Sequence, residues 1–289
     1  MKHIFFLFTA SLFFLACSND DNNGSGAQQE LKIKKYTSIS FDANGNQDGQ
    51  LIEYYFDENG KKTKDHIIDV FGDYEWNSSY NTLGQVAKKS RKYLNYPVDI
   101  VEKYIYNEEN KLSYLFMDQD NNGVYEDSLR FTHQTNQIIA QWYSPGDVKK
   151  EFYYDAAGNL NATNYIGDLG VVSEELITYD SASNIMQINF TSGSTQHDYK
   201  YEYDGNTNPF YKEFHDYYFN TVWRDGGLLS KYSLFFSPNN ITKIIFTSSE
   251  PSENYIITKN TIYNNDGYPI SAVVKKDDLL IEELTYDYY

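Results

Sequence analysis

The stretch "FYYDAAGNL", Phe152–Leu160, places two tyrosines ahead of an aspartate, then two small residues, a glycine and an asparagine. Started at Asp155, it reads as a type I turn, which prefers Asp, Asn or Ser first and Gly fourth. The carboxylate accepts a nearby backbone amide, and Gly or Asn takes the left-handed conformation that closes a hairpin with a bulge. Copies stand at Asp57-Glu58-Asn59-Gly60, Asn81-Thr82-Leu83-Gly84, Asn107-Glu108-Glu109-Asn110 and Asn264-Asn265-Asp266-Gly267, with a weaker one at Asp180-Ser181-Ala182-Ser183. Ser237-Pro238-Asn239-Asn240 carries Pro in its permitted second place, and His133-Gln134-Thr135-Asn136 is the degenerate member. The spacing is about 25 residues, the period of a stacked supersecondary unit.

Further turn signals fall midway between the copies, among them "FGD" at 71–73, "NYP" at 95–97, "GDLG" at 167–170, "SGS" at 192–194 and "KKDD" at 275–278. Turns at such short intervals, with β-rich runs between them, mean consecutive strands joined by hairpins. No helical periodicity shows between residues 30 and 205. The expected fold is all-β: one large antiparallel up-and-down meander of about nineteen strands, each roughly 7–10 residues long. Unpaired edges are costly, so the sheet is expected to be strongly curled or closed into a soluble barrel. An outer-membrane barrel is the rival, but its strands need one apolar face. "QVAKKSRKY", residues 85–93, sets Lys89 and Arg91 on one face and Lys88 and Lys92 on the other.

Composition agrees. Aromatics make up 17 % of the 289 residues, with 29 Tyr, and strands favour them. Against 24 basic residues stand 41 acidic ones, a net charge of −17. That surface repels phosphate backbones and excludes nucleic acid as a partner. A single cysteine rules out an intramolecular disulfide framework.

The ends are read separately. Lys2 and His3 precede an apolar run, Ile4–Leu15, too short to span a membrane as a helix. The run leads into Ala16 and Cys17, which resembles a bacterial lipoprotein signal, with Phe14 where an aliphatic residue is usual. The resemblance implies a signal peptide over 1–16, lipidation (palmitate) at Cys17 and an outer-membrane lipid anchor. Residues 17–30, including "SNDDNNGSGAQQ", are polar and without hydrophobic periodicity, which describes a flexible tether. Asp20 and Asp21 resemble the export signal of Bacteroidetes-type surface lipoproteins, implying the cell surface. Residues 31–289 form a single hairpin-repeat domain, expected to be a monomer.

The rhythm breaks after Asp204. "GNTNPFYKEFHDYYFNTVWRDGG", residues 205–227, crowds aromatics behind Pro209 and suggests a short helical insertion near 208–224. Two readings stand: aromatics plugging the mouth of the sheet, or a platform for a ligand such as a glycan, with Tyr211, Tyr217 or Trp223 exposed. "YEYDGNTNPFY" (201–211), "SPNNITKI" (237–244) and "YNNDGYPIS" (263–271) resemble an uncharacterised family of Bacteroidetes surface lipoproteins with YD-like repeats and a porin-like β fold. The resemblance covers most of the chain and implies an envelope lipoprotein without catalytic residues to carry over. A weaker resemblance is to the YD repeats of Rhs-type toxin shells, whose repeat Arg this chain lacks.

For chemistry, the best metal candidate is "DQDNNGVYE". Asp118, Asp120 and Asn122 alternate around a turn at Gly123, and Glu126 follows, an oxygen-rich arrangement suited to Ca²⁺. A Ca²⁺ loop of the EF-hand kind wants Glu where Leu129 stands, and a plain hairpin favours the same residues. "NGNQDG", residues 44–49, is a poorer copy. No other cofactor is implied. His66, His133, His197 and His215 are scattered, and no nucleophile, phosphate-loop or dinucleotide motif is present. Adjacent carboxylates such as Glu174 and Glu175 point to opposite faces of a strand. The expected function is a cell-envelope lipoprotein serving as a non-catalytic binding or adhesion module for a glycan or surface partner. The alternatives are a structural envelope protein without a soluble ligand and a carbohydrate-active enzyme.

Overall fold

The computed structural model describes residues 31–95, 99–143, 148–211 and 236–289. Within them the chain forms eighteen strands, from β1 (Ile33–Phe41) to β18 (Leu279–Tyr288), with β3 at Lys62–Asp69, β4 at Gly72–Tyr80, β6 at Asp99–Tyr106, β8 at Asp127–His133 and β14 at Thr195–Thr207. Every strand pairs antiparallel with its sequence neighbours, and β1 also pairs with β18, Ile33 opposite Tyr288 through Ser40 opposite Glu282. The sheet is therefore a closed up-and-down barrel with no free edge, which resolves the choice between curled and closed.

The Asp/Asn turns build one rim. At Asp155, Oδ1 accepts the amides of Ala157 and Asn159, both at 2.9 Å, while the Gly158 amide returns to the Asp155 carbonyl. The turns at Asp57, Asn81, Asn107, Asp180 and Asn264 repeat this pattern, and their fourth residues all have positive φ: Gly60, Gly84, Asn110, Ser183 and Gly267. The copy the repeat reading overlooked is Asp42-Ala43-Asn44-Gly45. It makes the same bonds on the opposite rim, between β1 and β2 (Gln47–Phe56). Ser237–Asn240 is not a hairpin turn. Asn239 already belongs to β15 (Asn239–Ser248), and the Pro238 carbonyl accepts the Asn208 amide at 2.8 Å.

The tyrosine of the phrase ties one hairpin to the next. Each turn is followed by a register slip, as at Val86, which lies opposite Tyr80 while Lys88 lies opposite Ser79. A bulge of this kind disrupts the ladder locally and leaves a carbonyl to be satisfied elsewhere. The Tyr one repeat later supplies the donor: Tyr80 OH to Lys62 O at 2.7 Å, Tyr106 to Val86 at 2.9 Å, and Tyr179 to Leu160 at 2.7 Å. Tyr203 donates to Ile185 O at 2.7 Å and Tyr288 to Pro269 O at 2.8 Å. In the degenerate copy His133 takes the same place, its Nε2 2.7 Å from Leu112 O. Burial pushes the hydroxyl pKa values of Tyr179 and Tyr203 upward, so both remain protonated donors.

Alternation divides the two faces. Leu115, Phe152, Ile185 and Ile188 point inward and are fully buried (0 % exposed), within one cluster that runs from Ile33 to Tyr286. The outward rows are polar, for example Lys88, Ser90 and Lys92 on β5 (Val86–Tyr93) and Gln187, Asn189 and Thr191 on β13 (Ile185–Ser192). Rows of this polarity do not supply the apolar band that a bilayer requires. The interior also holds charged groups with partners: Lys62 meets Asp65 at 2.8 Å, Thr163 donates to Glu175 at 2.7 Å, and Tyr104 donates to Glu102 at 2.7 Å.

Two substitutions test the turn and its tie. Tyr179→Phe is expected to lower stability by about 1 kcal/mol, the net worth of one hydrogen bond, read as a lower urea midpoint with an unchanged slope. Gly158→Ala, at φ +87° with nothing within 4 Å of the new methyl, is expected to cost about 1 kcal/mol through backbone strain alone.

Candidate functional site

Asn208, Phe210, Asn240, Ile241 and Lys259 line a cavity of about 10 Å³, closed further by Tyr36, Leu284 and Tyr286, the space of a single water. Phe210 closes it from the β14–β15 connection, edge-on to Tyr36 at 5.1 Å between ring centroids. Asn208 holds this entry in place, its Nδ2 donating to Ser237 O at 2.9 Å and its Oδ1 accepting the Phe210 amide at 3.1 Å. Burial raises the Glu282 carboxyl pKa against the opposing effects of Ser38 and Lys259. Glu102, Glu175 and Asp65 are likewise buried.

The sequence-predicted residues separate. Cys17, Tyr217 and Trp223, with most of the 208–224 insertion, lie outside the described residues. Tyr211 is half-buried, and its neighbour Phe210 is buried. Asp118, Asp120 and Glu126 do come together, each placing a carboxylate oxygen within 4.8 Å of the others. Those oxygens also hold the loop itself. Asp118 accepts the amides of Asn122 at 3.1 Å and Gly123 at 2.8 Å, and Glu126 accepts that of Gln119 at 2.8 Å. The Asn122 side-chain oxygen accepts the Val124 amide at 2.7 Å. The arrangement is thus a self-sufficient turn whose oxygens are also of the type a hard cation takes.

Two outward constellations were missed. On β1 to β4, Glu53 accepts from Lys35 at 2.6 Å and from Tyr55 at 2.6 Å, while His66 bridges Glu53 at 3.2 Å and Asp73 at 2.9 Å. Burial alone would raise the Glu53 pKa, but these partners hold it down at about 2. A carboxylate so firmly ionised is a structural anchor rather than a general acid.

The second constellation surrounds β7 (Leu112–Asp118). Tyr114 and Phe116 face outward with rings 5.7 Å apart and planes inclined by 15°, and Tyr125 of the following loop lies 5.7 Å from Phe116. Lys103 stands opposite Phe116 and Arg130 opposite Tyr114, while Lys88 stands opposite Lys103. In sequence this strand reads "LSYLFMD", apolar on both faces, so alternation gave no sign that the aromatics point out. The signal available was the loop beside it, already marked by its carboxylates.

Comparisons with known proteins concern the fold. No family model matches the sequence, and no curated protein matches it. Among solved structures, a porin-like protein from Bacteroides uniformis is 13 % identical, with 89 % of this chain and 96 % of that one covered and a TM-score of 0.45. A porin-like protein from Bacteroides vulgatus is 12 % identical, with 90 % and 99 % covered and a TM-score of 0.44. The TcdB2-TccC3-TEV structure is 14 % identical over 80 % of this chain and 12 % of its own, with a TM-score of 0.33.

The His66 bridge carries a pH signature. Burial works to lower its pKa, but Asp73 and Glu53 outweigh it, and the net shift is upward from 6.5. The protonated bridge therefore stabilises the fold fully below the ordinary value and loses its contribution as pH rises through the folded one. His66→Gln is expected to destabilise more at acidic than at alkaline pH, measured by urea titration on both sides of neutrality. An equal loss at both would remove the ionic role.

Proposed function

We propose that the chain is a cell-envelope lipoprotein, tethered through Cys17 to the outer membrane, whose closed barrel serves as a monomeric, non-catalytic binding module at the cell surface. One observation carries this reading: the apolar core cluster lies on the inward face, while outward rows such as Lys88, Ser90 and Lys92 on β5 and Gln187, Asn189 and Thr191 on β13 are polar. A wall of that polarity does not dissolve in a bilayer, so attachment falls to the apolar segment and cysteine that precede the barrel. Lipidation would supply the buried chains that stable anchoring needs. With the inward carboxylates Glu102, Glu175 and Asp65 buried, the barrel's recognition chemistry falls to the outer wall.

A structural envelope role is the second reading, favoured by the burial of Phe210, the first aromatic of the insertion. Partner binding by the outer wall separates the two.

The first experiment expresses the native protein and its Cys17→Ser variant and follows both through membrane fractionation. The native protein is expected with outer membranes and the variant with the soluble fraction; retention of the variant in membranes would defeat the tether. Protease added to intact cells, with a periplasmic marker as control, is expected to cleave the native protein while the marker survives. Protection on intact cells combined with cleavage after lysis would place the barrel inside and favour the structural role.

A further inference from the structure

We propose that the outer face of β5 to β8 is a binding site for an acidic oligosaccharide, with uronate carboxylates held by Lys88, Lys103 and Arg130 and sugar rings resting on Tyr114, Phe116 and Tyr125. The proposal rests on the binding-module reading and gives it a place and a ligand class.

The argument begins with an electrostatic conflict. Lys88 on β5 and Lys103 on β6 (Asp99–Tyr106) face each other directly across the ladder, and both are exposed. Like charges in that position repel and weaken a sheet. The chain has 41 acidic residues to 24 basic, so a neutralising neighbour was readily at hand. None is present. Lys88, Lys103 and Arg130 form no ion pair or hydrogen bond with any described residue. Of the outward carboxylates on these strands, Asp99 stands opposite Lys92 at the strand end and Asp118 is engaged by its own loop. A cationic patch is thus kept open on a protein of net charge −17, at a cost to the sheet that an anionic ligand would offset.

The aromatic rings narrow the ligand. Phe116 is flanked by Lys103 and Tyr114 by Arg130 in register, and Tyr114 and Tyr125 are 37 % and 41 % exposed. A wholly apolar partner would strip water from the cations without replacing it. A pyranose ring bearing a carboxylate offers both halves of the match, C–H faces for the rings and an anion for the charge-assisted hydrogen bonds. A long phosphate polymer would run from this patch onto the acidic remainder of the surface.

Calorimetry on the purified full chain in detergent tests the site with an oligogalacturonate hexamer, a neutral cello-oligosaccharide and a dT oligomer. The uronate is expected to bind, more weakly as salt is added, and to lose affinity by about tenfold or more in Lys88→Gln/Lys103→Gln and in Tyr114→Ala. The same Lys88→Gln change is expected to raise the melting temperature, because it removes the cross-strand repulsion. A variant that merely misfolds would lower it. Uronate binding that survives the double Lys variant overturns this site and leaves the binding-module reading intact. Equal binding of the dT oligomer overturns the glycan assignment. No heat from any of the three overturns the proposal, while the cell-surface proteolysis judges the broader reading independently.

Discussion

The hydrogen bond from a tyrosine hydroxyl to a carbonyl freed by the preceding bulge underlies the rest of the architecture. An Asx turn closes each hairpin on one rim, and a bulge follows it because the left-handed fourth residue adds a residue to one strand. The bulge leaves a main-chain acceptor to be satisfied from elsewhere. Tyr80, Tyr106, Tyr179, Tyr203 and Tyr288 satisfy these acceptors from the next hairpin along. Turn, bulge and tyrosine thus form one device, and its repetition carries the sheet around until β18 meets β1. Since each tie reaches only the neighbouring hairpin, stability accumulates locally, as in other repeat architectures. The substitution of His133 at one position shows what the device needs: a ring long enough to reach the carbonyl and a polar atom at its end.

Closure then decides where function can reside. A sheet of this many strands can enclose an aqueous channel when its inward face is polar. Here the core of that face is buried, and charged groups within it have partners in place: Lys62 with Asp65, Glu175 with Thr163, and Glu282 with Ser38 at 2.7 Å. Breaking any such pair would leave a buried charge uncompensated, so the interior is committed to holding the fold. The short rims are equally committed, since the Asp and Asn side chains spend their oxygens on turn amides. What remains free to vary is the outward row of each strand.

Much of this was legible in sequence. The repeating Asp/Asn phrase gave the hairpins, their number to within one strand and the antiparallel order, because a turn's requirements are local. The polarity of residues 85–93 separated Lys89 and Arg91 from Lys88 and Lys92 correctly. The Asp42 turn is harder to read because its "NG" also belongs to the oxygen-rich stretch "NGNQDG", although "FDANGN" follows the aromatic-Asp-x-x-Gly-Asn pattern of the phrase. Ser237-Pro238-Asn239-Asn240 matched the pattern but serves a different end: the Ser237 hydroxyl accepts the Ile185 amide at 3.0 Å, and Asn239 pairs with Asn184. Which carbonyl each tyrosine reaches was not legible, since the partner lies a full repeat away. Nor was the Tyr114 face, because in "LSYLFMD" both faces are apolar and only the register with β6 and β8 assigns them.

Two adjacent rows of the same strand pair show the difference between charges placed for folding and charges left for something else. On the inward side Lys89 lies opposite Glu102, both buried, an opposite-charge pairing that a low-dielectric interior demands. One residue along, on the outward side, Lys88 lies opposite Lys103. The backbone geometry is the same in both rows, and so is the side-chain chemistry of the β5 lysines. If cross-strand electrostatics served stability alone, the outer row would also carry a carboxylate, in a chain where carboxylates outnumber cations. Water screens the outer repulsion enough to make it tolerable, yet tolerance does not explain why Arg130 and three aromatic rings gather at the same place. A ligand that brings its own negative charge accounts for all of them together.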